Sequence, residues 1–351
     1  MHNIALPEYT IENVLTACTA SIRDKREREA FLAAAPVIID RSARYEKAGR
    51  NGELFLFPQE TDISTLITQK KMEWLYKERL VTCAAGKPIY KVLRERGVDK
   101  KCVICSTRDA NTLDHYLPKS RYAALAVTPA NLIPTCSSCN SSKSNRKPES
   151  PDSMPIHPYF DEITNISWLG ARYEKKIPIA FQFFVVENAI TNAFGADDAE
   201  KGRRIAGQIK NMFSIHKLGE LYADKASSEM LYLGEYIRNG AYPRREIERT
   251  AKTNENLYGS NYWKTVFYKT LLRDTWFIET LEKQAVSSEP QEISRPLQNR
   301  SGMTVSDVAR MRKLESDLAM LSQKYQALCR ENISLKESIE KLAMKQHCLD
   351  S

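Results

Sequence analysis

The amino-acid sequence predicts a chain of the α+β class that is predominantly helical. Apolar residues recur at helical spacing over most of its length, which favours helices. Four of the eight cysteines fall in two Cys-x-x-Cys pairs. Towards the C-terminal end leucines recur every seven residues, a spacing typical of coiled coils. We therefore expect helical regions at residues 1–100 and 161–284, a cysteine module at 101–160, a flexible linker at 285–304 and a coiled coil at 305–347.

Length, composition and charge narrow the class of protein. A chain of 351 residues has room for about two domains, and 42% hydrophobic residues are enough for a core, which excludes global disorder. The formal net charge is +8. Much of the excess lies between Lys100 and Lys147, where eight lysines and arginines accompany only two aspartates. Such a local concentration is expected of a surface that faces phosphates.

The first hundred residues are predicted to be mainly helical. Helices are expected over residues 13–35, where Pro36 supplies a stop, over residues 64–81 and over residues 88–96. The apolar run at residues 54–57 is too short to distinguish a strand from other structure.

The region after the module is also predicted to be mainly helical. Residues 147–158 contain four prolines and are expected to form a connector. Residues 177–186 form a strand candidate, and helical spacing resumes from Asp197 to about Lys283. The aromatic-rich segment 262–281 is expected to pack in the helical core, in preference to stacking on nucleic-acid bases.

Residues 311–346 carry a heptad pattern. A lone asparagine at an a position, here Asn332, is tolerated best in a parallel two-stranded coil. The flanking charges agree, because Glu331 faces Lys336 in that register. We expect a parallel homodimer. The alternative is a helix that folds back and packs on the rest of the chain. Lysines and glutamates around the helix disfavour that alternative. Leucine occupies every d position, at residues 314, 321, 328, 335 and 342.

The two Cys-x-x-Cys pairs predict a structural zinc site. The N-terminal segment lacks the basic start and apolar run of a signal peptide, and the longest apolar stretch, residues 30–39, is too short to span a membrane. We therefore expect a cytoplasmic protein with no membrane partner. In that setting paired motifs favour metal ligation over disulfides. A redox dithiol and an iron–sulfur cluster are the alternatives. The four expected ligands are Cys102, Cys105, Cys136 and Cys139.

Between and after the cysteine pairs lie residues suited to a second metal. Thr112 and Leu113 are predicted to form a strand that leads into Asp114 and His115. On the following helix Asn140 and Lys143 share one face with the cysteines, because they fall four and seven residues after Cys136. A carboxylate, a carboxamide and an imidazole together suit a hard divalent cation beside a base of near-neutral pKa. Lys143 and Arg146 are expected to hold phosphate.

Taken together, the motifs Asp-His-x-x-Pro-x-Ser and Asn-Leu-x-Pro-x-Cys-x-x-Cys-Asn-x-x-Lys resemble the HNH endonuclease family, in its variant with two zinc knuckles around a ββα-metal core. The resemblance covers residues 101–148. It implies that His115 is the general base that activates water, and that Asp114 and Asn140 bind a catalytic Mg²⁺ or Mn²⁺ ion. It also implies that Asn131 braces the loop that carries the base. Arg121, Tyr122 and Ala123 stand where relatives often carry Gly-Gly.

The leading hypothesis is therefore a metal-dependent endonuclease that cuts DNA. Family members of this build often serve in defence against phages and mobile elements, in some cases with a partner ATPase. Two alternatives are a non-catalytic zinc module that binds nucleic acid and dimerises through its coil, and a protein-interaction adaptor whose leucine zipper recruits an enzyme. His157, at the end of the connector, is expected to serve in capping or packing in preference to approaching the site.

Overall fold

A computed structural model of the chain describes residues 3–144, 149–175, 179–238, 243–274 and 276–279. The chain divides into two units, Met1–Glu289 and Pro290–Ser351. The predicted linker at 285–304, the coiled coil at 305–347 with its dimer interface at 311–346, and Arg146 all lie outside the described residues. All of the described residues belong to the first unit.

The fold is predominantly helical, as predicted, and contains two small sheets. The N-terminal helices are α1 (Ile11–Ala20), α2 (Lys25–Asn51), α3 (Gln69–Trp74) and α4 (Lys87–Arg94). A strand pair and a short helix follow: β1 (Thr112–His115), β2 (Leu132–Thr135) and α5 (Ser137–Lys143). The rest comprises β3 (Leu169–Tyr173), β4 (Phe181–Val185), α6 (Glu187–Phe194), α7 (Ala199–Ile215), α8 (Leu218–Arg238), α9 (Pro243–Tyr258) and α10 (Trp263–Arg273).

The expectation of a helix that stops at Pro36 is wrong. The chain breaks earlier, and α2 begins after Asp24, whose side chain accepts a hydrogen bond from the Glu27 amide. It then runs through Pro36 to Asn51. A proline inside a helix removes one backbone hydrogen bond. Here α2 buries Phe31 before the proline and Ile38 after it, so that packing along the whole helix outweighs the local loss.

The structure decides one segment that the sequence left open and changes the start of a predicted helix. Residues Leu54–Leu56 form a 3₁₀ turn, not a strand. The helix expected from residue 64 begins only at Gln69, and beyond Trp74 it widens into a π-helical turn over Leu75–Val81. Such turns are rare and often occur at functional sites. The helix predicted over residues 88–96 is present as α4.

The N-terminal helices and the central module share one hydrophobic core. Buried residues of α1, α2, the π-helical turn and α4 pack in this core against buried residues of the module. Because α4 also contacts both β1 and β2, the module's sheet rests directly on the N-terminal region. The module contributes Leu113, Ala123, Ala126, Val127 and Leu132 to it.

The C-terminal part of the unit packs in a second core, which also contains the four paired cysteines of the module and Tyr45 of α2. Strands β3 and β4 pair antiparallel, with Leu169 opposite Val185 and Tyr173 opposite Phe181. The strand predicted at residues 177–186 is thus present over a shorter range. Trp263 and Phe267 of α10 are buried, which confirms the core role expected for the aromatic-rich segment. None of the helices within the described ranges is long and apolar enough to cross a membrane.

Candidate metal centre and active site

The four expected cysteines converge on one point. Cys102 and Cys105 lie in the turn before β1, Cys136 caps α5, and Cys139 lies in its first turn. Their sulfur atoms all lie within 4.8 Å of one another, and the Sγ atoms of Cys105 and Cys136 are 4.0 Å apart. A tetrahedral zinc with Zn–S bonds of about 2.3 Å places its sulfurs roughly 3.8 Å apart. The buried four-cysteine cluster therefore fits a closed structural zinc site.

Hydrogen bonds tie this cluster to the rest of the unit. The Thr107 hydroxyl donates to the Cys105 sulfur at 3.3 Å. The amide of Val103 donates to the Pro134 carbonyl at 3.1 Å, which joins the first knuckle to β2. From α8 the Tyr222 hydroxyl donates to the Cys105 carbonyl at 3.2 Å. A metal bound here would hold together the module's strands and a C-terminal helix.

The strand pair and α5 form a ββα unit around the second group of expected site residues. β1 pairs antiparallel with β2, with Asp114 opposite Ile133 and His115 opposite Leu132. Helix α5 packs on β1. A pocket of about 500 Å³ lies beside them, and Asp114, His115 and Asn140 all line it. β1 ends at His115, and both residues of the dyad line this pocket although neighbouring side chains in a strand point to opposite faces.

The imidazole of His115 is held in one tautomer. Its Nε2 atom lies 2.9 Å from the carbonyl oxygen of Ala126. A carbonyl oxygen can only accept, so Nε2 carries the proton and the lone pair resides on Nδ1. Burial lowers the pKa of His115 to about 3, and the positive charge of Lys119 acts in the same direction. The ring is therefore neutral near pH 7 with its lone pair on Nδ1, and its pKa lies well below the near-neutral value that we expected for the base.

Asn131 braces the loop that carries this histidine. Its Oδ1 atom accepts from the Leu117 amide at 2.8 Å, and its Nδ2 atom donates to the carbonyls of Leu117 at 3.0 Å and Leu125 at 3.1 Å. The backbone carbonyl of Asn131 also accepts from the Tyr116 amide at 2.8 Å. These contacts fix both ends of the loop that contains Ala126, the partner of His115. Asn131 acts on the site through that loop.

Asp114 and Asn140 offer oxygen atoms to the pocket. The Nδ2 atom of Asn140 donates to the Thr112 hydroxyl at 3.2 Å, which leaves its Oδ1 atom for a cation. Burial raises the pKa of Asp114, and the positive charge of Lys143 opposes that shift. Carboxylate and amide oxygens are the ligands that hard divalent cations prefer. Both side chains therefore carry ligand atoms of the kind that a hard divalent cation binds.

The position of Lys143 differs from the exposed phosphate contact that we expected. Its side chain is only 10% exposed, and its Nζ atom lies 3.3 Å from Oδ1 of Asp114. The same Nζ atom donates to the carbonyl of His115 at 2.6 Å. Lys143 thus joins the end of α5 to both members of the dyad. Spacing placed it on the correct helix face, but its partners depend on how α5 packs on β1.

Replacement of Lys143 by methionine is expected to destabilise the module. It would leave the buried carboxylate of Asp114 without its charge partner, at a cost of about 3–5 kcal/mol. Urea unfolding of the zinc-loaded protein measures this free energy. Lys119→Met is the matched control, since Lys119 is half-buried and should change the unfolding free energy by less than about 1 kcal/mol. Adding Asp114→Asn to Lys143→Met should restore part of the loss. Equal unfolding free energies for Lys143→Met and wild type would contradict this role.

Two pocket residues were missed in the sequence, Tyr76 and Lys119. Both line the pocket. Lys119 lies inside the Asp-His-x-x-Pro-x-Ser motif at a variable position, where nothing marks it as functional. Tyr76 belongs to the π-helical turn, and its ring centroid lies 4.6 Å from that of His115. No local pattern in the sequence could link it to a histidine in another region.

His157 has the packing role that we favoured. Its side chain is 1% exposed, and its Nε2 atom lies 2.9 Å from the Tyr45 hydroxyl. Its ring packs on those of Tyr116 and Phe160, with centroids at 4.2 and 4.3 Å. The residue anchors the connector to α2 and to the end of β1.

Comparisons with known proteins agree with the site. Residues 102–146 match the model of the HNH endonuclease family, which confirms the resemblance found in the motifs. Protein ea31 of Escherichia phage lambda is 24% identical over 77% of this chain and 97% of its own length. Septu protein PtuB of Bacillus thuringiensis is 34% identical over 85 residues, which cover 23% of this chain and 32% of that protein. No solved structure matches the chain.

Proposed function

Because residues 102–146 form an HNH endonuclease domain, we propose that this protein is a metal-dependent endonuclease that hydrolyses phosphodiester bonds in DNA. One observation carries the proposal above all others. Asp114, His115 and Asn140 line a single pocket on the ββα unit, beside a cysteine cluster that fits zinc. This pocket combines a proton acceptor with two oxygen ligands for a divalent ion.

In the proposed reaction each residue has a distinct role. Nδ1 of His115 accepts a proton from water, whose oxygen forms a bond to phosphorus while the bond to the 3′ oxygen breaks. The 3′ oxygen then takes a proton from solvent. Asp114 and Asn140 would hold Mg²⁺ or Mn²⁺, and a bound ion supplies stabilisation for negative charge on the phosphate and the leaving oxygen. Lys119, at the wall of the pocket, adds a positive charge on the side of His115.

The zinc would have a structural role. Cys102, Cys105, Cys136 and Cys139 would hold it, and none of them lines the pocket. Because Cys139 directly precedes Asn140 on α5, zinc binding would fix the rotation of that helix. The cysteines thereby orient a ligand of the catalytic ion without touching the substrate.

Cleavage of supercoiled plasmid tests the function, with Mg²⁺ or Mn²⁺ and with a chelator that removes them. We expect nicked or linear plasmid only when the metal is present. A single-stranded RNA of matched length, incubated under the same conditions, tests whether RNA is also cut. Binding of plasmid without cleavage under any metal would favour a non-catalytic nucleic-acid-binding module.

Asn140→Ala should raise the metal concentration needed for half-maximal cleavage by more than about tenfold. An amide oxygen that ligates the ion would be lost, while the zinc ligands remain. Titration of Mg²⁺ and Mn²⁺ in the plasmid assay measures the shift. Ser141→Ala is the control, because Ser141 lines the same pocket and is the next residue on α5. An unchanged metal requirement in Asn140→Ala would remove Asn140 from the ligand set.

The wider setting is proposed from the sequence. Family resemblance supports a role in defence against phages or mobile elements, alongside a partner ATPase. The heptads at residues 311–346 support a homodimer that would bring two nuclease sites to one DNA duplex.

A further inference from the structure

We propose that Tyr76 is a positioning residue for His115, so that the N-terminal helical region completes the nuclease site. Tyr76 lies outside the segment that matches the family model, which begins at residue 102. The inference rests on the proposed function, because it concerns the orientation of the proposed general base.

The two rings meet edge to face. Their centroids are 4.6 Å apart and their planes are inclined by 67°. Aromatic rings favour this arrangement because the positive edge of one meets the negative face of the other. The Tyr76 hydroxyl donates to the carbonyl of Leu113 at 3.3 Å, so β1 itself holds the tyrosine ring in place. Only 8% of Tyr76 is exposed.

The ring contact supplies a restraint that the hydrogen bond of His115 lacks. The bond from Nε2 to the Ala126 carbonyl fixes one end of the imidazole. That single bond does not by itself prevent a tilt of the ring, and a tilt would move Nδ1 away from the position that the attacking water would take in the proposed reaction. A tyrosine ring packed against the imidazole excludes the tilt. The direction of the Nδ1 lone pair therefore depends on Tyr76.

The backbone that carries Tyr76 is itself firmly placed. Its neighbours Leu75 and Leu80 in the π-helical turn are fully buried. They pack in the core that contains Leu113 and Ala126, the two residues whose carbonyls hold Tyr76 and His115. The tyrosine, the histidine and both carbonyls thus belong to one packed body.

Tyr76 also differs from an ordinary core residue. It lines the pocket formed by Asp114, His115 and Asn140, whereas Leu75 and Leu80 do not. The Nζ atom of Lys119 lies 5.8 Å from the centroid of its ring, within the range of a cation–π contact. One ring therefore contacts both the proposed base and a cation of the pocket wall.

Two substitutions in the full-length, zinc-loaded protein test the inference. Tyr76→Phe keeps the ring and should retain kcat within about threefold, since it loses only the hydroxyl with its hydrogen bonds to the Leu113 carbonyl and to Tyr90. Tyr76→Leu removes the ring and should lower kcat about 10- to 100-fold with KM little changed, because the base is misplaced while the substrate surface remains. Tyr9→Leu is the control, since Tyr9 packs on the same core without contacting His115.

A second measurement does not depend on activity. The carbon-bound protons of the His115 ring lie beside an aromatic ring, so their NMR resonances should shift on Tyr76→Leu and remain near their wild-type positions in Tyr76→Phe. Tyr76→Met serves in both measurements if the leucine variant unfolds.

The outcomes separate the two proposals. If wild type cuts DNA and folded Tyr76→Leu or Tyr76→Met keeps the wild-type kcat, the inference is overturned while the proposed function stands. If wild type cuts nothing, the proposed function fails, and unchanged His115 resonances in these variants would then overturn the positioning role as well. A similar loss of kcat in Tyr76→Phe and Tyr76→Leu would also overturn the positioning role. The aromatic ring, which Tyr76→Phe retains, would then not be sufficient to position His115.

Discussion

Replacement of His115 by alanine is expected to reduce plasmid cleavage by about 10²- to 10⁴-fold. Because Nε2 donates to the Ala126 carbonyl, Nδ1 is the atom that would accept a proton from the attacking water in the proposed reaction. Alanine supplies no acceptor, and the described residues that line the pocket offer no second imidazole. The proposed metal ligands Asp114 and Asn140 would remain, so the variant should still bind metal but should not regain the wild-type rate.

The measurement is single-turnover cleavage of plasmid by the variant and wild type at equal protein concentration. Zinc content and the unfolding midpoint should first show that His115→Ala is folded. His216→Ala is the matched control, because it removes a half-buried imidazole at the end of α7 and should leave cleavage unchanged. Equal nicking by His115→Ala and wild type would end the assignment of the nuclease to this pocket.

Replacement of Cys139 by serine is expected to have the largest effect on folding. The four cysteines predict one bound zinc ion per chain, and loss of one thiolate should release it. Structural zinc contributes about 10–16 kcal/mol of binding free energy in zinc-finger peptides, and that energy is coupled to folding. Because the cluster joins the first knuckle, α5 and, through Tyr222, helix α8, its loss should loosen all three.

Metal analysis and thermal unfolding together test this expectation. Cys83→Ser is the control, since Cys83 is half-buried and lies outside the cluster. It should keep the wild-type zinc content and unfolding midpoint. Cys139→Ser should bind less zinc and unfold at a lower temperature than wild type. A wild-type chain that binds less than stoichiometric zinc, or a Cys139→Ser variant that retains zinc and midpoint, would exclude a structural zinc site here.

The candidate site was more predictable from the sequence than the surrounding fold, for a physical reason. A Cys-x-x-Cys knuckle and an Asp-His pair have few uses, so their spacing alone indicates the local structure. Helix boundaries depend on packing between distant segments. The passage of α2 through Pro36 is an example, because its cause is apolar burial on both sides of the proline. The ion pair of Lys143 likewise depends on the tertiary contact between α5 and β1.

Tyr76 marks the limit of inference from motifs. It precedes His115 by 39 residues and belongs to no pattern that names a function. Only the folded chain brings its ring against the imidazole. Such a residue contacts a motif without belonging to it, so its role can be recognised only from the three-dimensional structure.

The core shared by the N-terminal helices and the module bears on the use of this domain in protein engineering. Leu113, Ala126 and Leu132 are buried against α1, α2 and α4. A fragment of residues 101–160 would expose these side chains to water and would lose Tyr76. The HNH module is therefore poorly suited to transfer into another protein as an isolated fragment. A fusion protein that includes this module should also include the N-terminal residues from α1 onward.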